Sequence, residues 1–228
     1  MKQLPLGVRL RADAIFESFA AGDNAEVVAA LRGPGSAPVW LWGASGSGKT
    51  HLLQAVCAAA GETAAYFPLD RSLALPPEAL VGFETCRVLC LDDVAAVAGD
   101  LEWERALFRS FNEAAELRTR LIFAAAAAPR QIAWCLEDWR SRAAACVVYQ
   151  LHDLDDAGRV DALRLRAAQR GLQLPQETSE YLLRRMPRDL KSLHLLLDQL
   201  DEASLIAQRR LTIPFIRDVL ERLAETKP

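Results

Sequence analysis

Histidine is scarce in this chain. The three that occur, His51, His152 and His194, lie far apart, and no C-x-x-C pair accompanies them, so the sequence offers no ligand cluster for a metal centre of imidazoles and thiolates. The five cysteines, Cys57, Cys86, Cys90, Cys135 and Cys146, are isolated, and several fall in apolar segments. That fits reduced, buried thiols rather than a disulfide framework. No apolar run approaches the roughly 20 residues of a membrane span. The opening Met1-Lys2-Gln3-Leu4-Pro5 lacks the apolar centre of a secretion signal, so the expected location is the cytoplasm. Charge excess is lacking too. The 27 Lys and Arg against 30 Asp and Glu leave a net charge of −3, which gives no general attraction to nucleic acid or to an anionic membrane. Internal repeats and low-complexity linkers are absent. What is present suits an ordinary soluble globular chain: 228 residues, 51% hydrophobic and 25% charged, enough for one or two domains with real cores.

The most informative stretch begins at Val39-Trp40-Leu41-Trp42, a short apolar strand. It continues through Gly43, Ala44, Ser45, Gly46, Ser47, Gly48, Lys49 and Thr50 into an apolar-periodic helix from His51 to Ala60. A strand, Gly-x-x-x-x-Gly-Lys-Thr and a helix make the context of a P-loop; the alternative is a chance Gly/Ser-rich turn. Glycines let the backbone turn tightly with its N–H groups facing a phosphate, and the helix N-terminus adds its dipole to the same anion. Lys49 is expected to reach the β- and γ-phosphates of ATP or ADP, and the Thr50 hydroxyl to ligate Mg²⁺.

Further elements alternate. Strands are expected at Ala64–Phe67, Arg87–Asp93, Leu121–Ala127 and Cys146–Tyr149, although the alanines of the third would equally suit a helix. Between them lie a short helix after Pro76-Pro77, a long amphipathic helix over Leu101–Leu117 and a helix over Trp134–Ala144. Before the P-loop strand, Gly22-Asp23-Asn24 reads as a turn and cap for a helix from Ala25 to Leu31. The alternation predicts a five-stranded parallel sheet in an α/β domain. From Leu154 the strand signals end. Four helices follow: one from Asp155 to Arg170, one over Thr178–Met186, one capped by Asp189 with a stripe of Leu190, Leu193, Leu197 and Leu200, and one opened by Thr212-Ile213-Pro214. The expected division is a peptide over 1–12, a nucleotide-binding domain over 13–152 and an all-α lid over 153–228.

Asp92 ends a buried apolar strand, where a carboxylate is costly unless paired. Beside a P-loop it serves Mg²⁺ through Thr50 and water; otherwise it caps a helix. Asp93 stands where many such ATPases place a glutamate that orients the attacking water, with a cap or surface role as its alternative.

Together, Gly-Lys-Thr-His-Leu-Leu at 48–53, Leu-Asp-Asp at 91–93, Ser-Arg at 141–142, Arg-Asp-Leu at 188–190 and Leu-Thr-Ile-Pro-Phe at 211–215 resemble the AAA+ family of the bacterial replication initiator DnaA. The likeness runs over nearly the whole chain and is nearest to the short DnaA-like regulators that inactivate DnaA. It implies a P-loop AAA+ domain with a small helical lid, and DnaA and the DNA polymerase III β sliding clamp as partners. Gln3, Leu4 and Leu6 resemble the peptide that docks on the clamp, with Gly7 where strong clamp peptides carry a large apolar residue; a disordered start is the alternative. Arg142 matches the arginine finger that acts on a neighbour's phosphate, and Arg188 matches sensor 2. A solvated arginine is the alternative at both. His51 follows the motif into the nucleotide site. Phe19, Gly22 and Asn24 resemble the segment beside the adenine, although Phe16 and Phe19 would also serve as core. Where the family's sensor 1 is polar, this chain has Ala124 to Ala128, so self-hydrolysis is doubtful. The chain as given ends at Pro228 without a DNA-binding helix-turn-helix, so DNA contact is expected only through the partners. Arg159, Arg164, Arg166, Arg170, Arg184 and Arg185 would form a DNA surface or, more in keeping with arginine's usual exposure, solvated faces and a partner interface. The resemblance thus implies a cytoplasmic regulator that stimulates hydrolysis of DnaA-bound ATP. A self-turning ATPase that loads helicase or remodels DNA and an adaptor with structural nucleotide stand as alternatives, and a further copy of the chain is a candidate partner beside DnaA and the clamp.

Overall fold

The computed structural model describes residues 10–11, 13–70, 75–185 and 190–225. They divide into two compact units, one holding the residues up to Phe19 with Asp23–Asp153, the other Ala20–Gly22 with the residues from Leu154 onward.

The first unit is built on five parallel strands: β1 (Val39–Trp42), β2 (Ala64–Pro68), β3 (Val88–Asp92), β4 (Arg120–Ala125) and β5 (Val147–Gln150), in the order β2-β3-β4-β1-β5. Its helices are α1 (Ala25–Arg32), α2 (Lys49–Ala60), α3 (Leu101–Leu117) and α4 (Glu137–Ala144). The two-residue period of a strand sorts the core. Leu41, Cys90, Ile122 and Ala124 face α1 and α2, while their neighbours Trp40, Leu89, Leu91, Phe123 and Ala125 face α3 and α4. With both faces covered, the strands are apolar throughout, as parallel strands are. The alanines of β4 are strand because they lie between β3 and β1 in the ladder, so tertiary pairing overrides their helical propensity.

Two local expectations are corrected. Asn24 precedes α1 but makes no side-chain cap. Its amide instead donates to the His152 carbonyl at 2.9 Å and accepts the His152 N–H at 2.8 Å. The helix expected from Trp134 begins only at Glu137. Trp134 is spent on the core, with its indole N–H on the Pro129 carbonyl at 3.0 Å. The N–H groups of Cys135 and Leu136 are taken by a carboxylate from α3, that of Glu104.

Glu104 is fully buried and organises the approach to α4. Its Oε1 accepts Gly99 N–H at 2.8 Å and Cys135 N–H at 3.1 Å, and its Oε2 accepts Leu136 N–H at 2.7 Å. Glu104→Ala would strand three backbone donors. At a minimum of about 1 kcal/mol each, the expected loss is about 3 kcal/mol, which corresponds to roughly 6–12 °C in melting temperature for a chain of this size. Thermal unfolding followed by circular dichroism checks it. The other anchor of α4 is Trp139, which packs edge-on against Phe111, Phe123 and Trp134.

The second unit carries α5 (Asp156–Gln169), α6 (Gln176–Arg185), α7 (Leu190–Ala207) and α8 (Ile213–Glu225) around a core of Leu163, Leu182, Leu193, Leu197, Leu200 and Phe215. Asp155 caps α5 by accepting Gly158 N–H at 2.7 Å. Among the described residues no helix is long and apolar enough to cross a membrane.

Candidate nucleotide-binding site

β1 delivers the chain to the loop Gly43–Gly48, and α2 starts at Lys49. Glycine is required at two points. A Cβ on Gly43 would lie 2.5 Å from the Leu151 carbonyl, and one on Gly48, at φ +97°, would lie 2.6 Å from the Phe19 ring. Lys49 is buried inside the loop, with Nζ 2.8 Å from the Gly43 carbonyl, 2.7 Å from the Ala44 carbonyl and 3.5 Å from Ser47 Oγ. All three contacts are to neutral oxygens. Burial lowers the Lys49 pKa, while Asp92, Asp93 and Asp153 act to raise it. A buried ammonium among neutral acceptors in a glycine loop at a helix N-terminus is a fit for a polyphosphate.

Asp92 is buried and fully engaged. Its Oδ2 accepts the Thr50 hydroxyl at 2.6 Å and the Tyr66 hydroxyl at 2.8 Å, and its Oδ1 accepts the Asp93 N–H at 3.0 Å. Thr50 and Asp92 are hard oxygen donors of the kind that hold Mg²⁺ directly and through water. Asp92 caps no helix, being a strand residue paired across to α2. Asp93 follows in the left-handed region, φ +53°, and is exposed; its side chain does not cap the turn after it. Partial desolvation and the Asp92 charge raise its pKa, with Lys49 opposing. At the same end of the sheet β4 offers only Ala124 and Ala125, in register with Leu41 and Trp42. No side chain there can hold a water.

The segment before α1 lies against this loop. Phe19 covers Gly48, and its ring is 5.6 Å from that of His51. His51 Nε2 lies 3.0 Å from Ser18 Oγ and 3.0 Å from the Ile15 carbonyl, so its ring faces the segment. Phe16 is core. Asn24 is used up by His152 and steadies the end of β5. Gly22 belongs to the second unit, where it packs on Leu154. Tyr66 was not legible as a site residue. Its hydroxyl, with a pKa raised by burial and by Asp92, stays a donor. The register that pairs Tyr66 with Cys90 places it on the face that carries Asp92.

Arg142 stands apart from all of this. It lies in the last turn of α4, which ends where β5 begins: Val147 N–H donates to the Pro38 carbonyl at 2.8 Å, just ahead of β1. The P-loop leaves the other end of β1, about 13 Å away at about 3.3 Å per residue. Arg142 is exposed and makes no ion pair among the described residues. Its guanidinium carbon lies 5.9 Å from the ring centres of both Phe108 and Phe111. Gln3, Leu4, Leu6, Gly7 and Arg188 lie outside the described residues.

In the second unit several basic side chains are neutralised internally. Arg170 pairs with Asp198 at 2.7 Å, Arg166 with Asp198 at 3.7 Å, Arg159 with Asp156 at 2.9 Å and Arg184 with Glu180 at 3.4 Å, while Arg185 lies over Tyr181.

Residues 156–220 match the family model described as Hda, lid domain. The match lies in the helical second unit, from α5 into α8. Among solved structures it is similar to domain III of the Thermotoga maritima replication initiation protein DnaA, at 20% identity, with 96% of this chain and 99% of that one covered and a TM-score of 0.78. AMPPCP-bound DnaA from Aquifex aeolicus follows at 23% identity, with 86% and 67% covered and a TM-score of 0.68. The Thermotoga maritima RuvB Holliday junction branch migration motor matches at 14% identity, with 82% and 62% covered and a TM-score of 0.62. At such identities these structures establish the fold alone, a five-stranded parallel α/β domain and a helical region of four helices.

Proposed function

We propose that the chain is a negative regulator of replication initiation that acts on ATP held by DnaA. In this reading it binds ADP or ATP with Mg²⁺ through the Gly43–Thr50 loop, Asp92 and Arg188, with Phe19 and Asn24 shaping the adenine side. AMPPCP bound to a DnaA of the same fold supports an adenine nucleotide here. Gln3, Leu4 and Leu6 dock on the β sliding clamp, which brings the protein to DNA. Arg142 then faces the γ-phosphate of DnaA's ATP and speeds its hydrolysis.

The observation that carries this is the position of Arg142. It is charged, exposed and, among the described residues, without an acidic partner, at the end of the sheet opposite its own P-loop. The following edge strand presents Val147 and Val148, 42% and 41% exposed, as apolar surface beside it for a partner. Self-turnover is disfavoured by the alanines at the tip of β4, which leaves Asp93 alone to manage a water. The test is to incubate ATP–DnaA with this protein, clamp and DNA and to follow ADP formation. Unchanged hydrolysis on adding the protein overturns the reading. A further expected outcome concerns the docking peptide. Gln3→Ala is expected to abolish retention on immobilised clamp and to leave nucleotide affinity unchanged; undiminished retention would place the clamp contact elsewhere.

A further inference from the structure

At the end of the sheet away from the P-loop lies a cavity of about 380 Å³. The last turns of α3, the start of β4 and the loop before β1 line it. Pro38, Phe111, Ala114 and Leu121 give it apolar walls. The Phe111 wall is fixed in place: its ring stacks on Phe123 at 11° and meets Trp139 edge-on. The same ring lies 5.9 Å from the guanidinium carbon of Arg142. Pro38 is shared as well, because its carbonyl accepts the Val147 N–H at the start of β5. The cavity is therefore continuous with the surface that carries Arg142.

Arg118 is the one charged residue that lines the cavity. It closes α3 in a Schellman motif, with Thr119 N–H on the Ala114 carbonyl at 2.8 Å and Arg118 N–H on the Ala115 carbonyl at 3.4 Å. The left-handed residue of that motif is usually glycine, since a side chain disfavours the conformation. Here it is an arginine, at φ +57° and ψ +32°. Arg118 is exposed and makes no ion pair among the described residues. An arginine standing where glycine would be more stable points to a use other than stability.

We infer that this cavity seats an apolar side chain of DnaA that has a carboxylate beside it, and that Arg118 binds the carboxylate. The inference rests on the reading that Arg142 acts on ATP held by DnaA, and it names how that partner is held. A protein that brings its nucleotide to Arg142 covers the cavity too, because one ring borders both. Apolar walls select an aliphatic or aromatic anchor, the kind of residue that dominates binding energy at an interface. The guanidinium selects an acid next to it, which it can grip through two N–H groups.

The test follows conversion of ATP–DnaA to ADP–DnaA over a range of DnaA concentrations, with the full chain, clamp and DNA held constant. Ser36 is an exposed lining residue, so Ser36→Trp fills the cavity from its rim. Arg118→Gly removes the guanidinium and relieves the backbone. Both are expected to raise the DnaA concentration for half-maximal rate on the order of tenfold, while the rate at saturation holds. The melting temperature of Arg118→Gly should meanwhile rise by roughly 2–4 °C, so that stability and association move in opposite directions. Half-saturation at the parent concentration in either variant overturns the inference. So does a fall in the melting temperature of Arg118→Gly, which would make the arginine a structural residue. If the parent sediments as a dimer that Ser36→Trp dissociates, with half-saturation by DnaA unchanged, the occupant is a second copy of the chain and the inference is wrong. A parent that forms no ADP at any DnaA concentration overturns the regulatory reading itself, and this inference with it.

Discussion

Lys49→Ala is expected to end nucleotide binding while leaving the fold intact. Lys49 is 8% exposed, and among the described residues the hydrogen-bond partners of its Nζ are uncharged oxygens of its own loop. A phosphate entering the loop would supply a countercharge that none of the described residues places in contact with Nζ. Truncating one partner of such a buried charged pair costs about 2–5 kcal/mol, or roughly 30- to 5,000-fold in affinity. Titration calorimetry with ADP and ATP should show no saturable heat at concentrations that saturate the parent. Stability should not follow affinity. Burial lowers the Lys49 pKa, so near neutral pH the ammonium is disfavoured in the folded state relative to the unfolded chain. Replacing it removes that penalty, and the melting temperature without nucleotide should be unchanged or slightly higher. The rise on adding ligand, which reflects about 2.7 kcal/mol at a hundredfold excess over Kd, should vanish. A variant that still binds ADP tightly would show that this loop is not the phosphate site.

The elements that were legible in the sequence are those whose determinants are local. The helix Leu101–Leu117 was readable to the residue because its apolar stripe is long and Asp100 caps it through Glu102 and Trp103 N–H. The P-loop was readable because its chemistry is confined to eight consecutive positions. What was not legible depends on partners distant in sequence. Asn24 resembles a cap by residue type, but its amide is claimed by His152, 128 residues on. The start of α4 could not be placed because the group that holds Cys135 and Leu136 out of the helix is Glu104, more than thirty residues earlier. A signal did exist there: Glu104 shares the 3–4 spacing of Leu107, Phe111 and Ala114, all buried, and a carboxylate on that stripe has to find donors. Tyr66 gave no comparable signal. Its role follows from strand register, and one strand alone does not carry that.

Arg142→Ala is expected to leave folding, nucleotide binding and clamp binding unchanged and to remove stimulation of ATP hydrolysis by DnaA. The fold side of this rests on what Arg142 touches. Among the described residues its guanidinium packs on the rings of Phe108 and Phe111, each at 5.9 Å, near the outer limit of a cation–π contact. At an exposed site such a contact contributes about 0.5–1 kcal/mol. Its neighbour Arg140, by contrast, is paired with Glu137. Two features nevertheless give Arg142 a defined place. Trp139 anchors α4 in the aromatic core, and Glu104 fixes the backbone that enters it. A well-anchored helix thus carries a guanidinium with no ion pair among the described residues at the rim of the domain, separated from its own P-loop by the length of β1. On a neighbour's ATP that group would meet negative charge as it builds on the transferred phosphoryl oxygens. Arginines in such positions raise the rate on the order of 10³-fold or more. Arg142→Lys should recover little, because an ammonium does not reproduce the planar two-pronged contact. The decisive comparison is single-turnover conversion of ATP–DnaA to ADP–DnaA by parent, alanine and lysine variants with clamp and DNA held constant. Parent-rate conversion by the alanine variant would mean that the hydrolytic group comes from DnaA itself, and that this chain acts only by holding it in place.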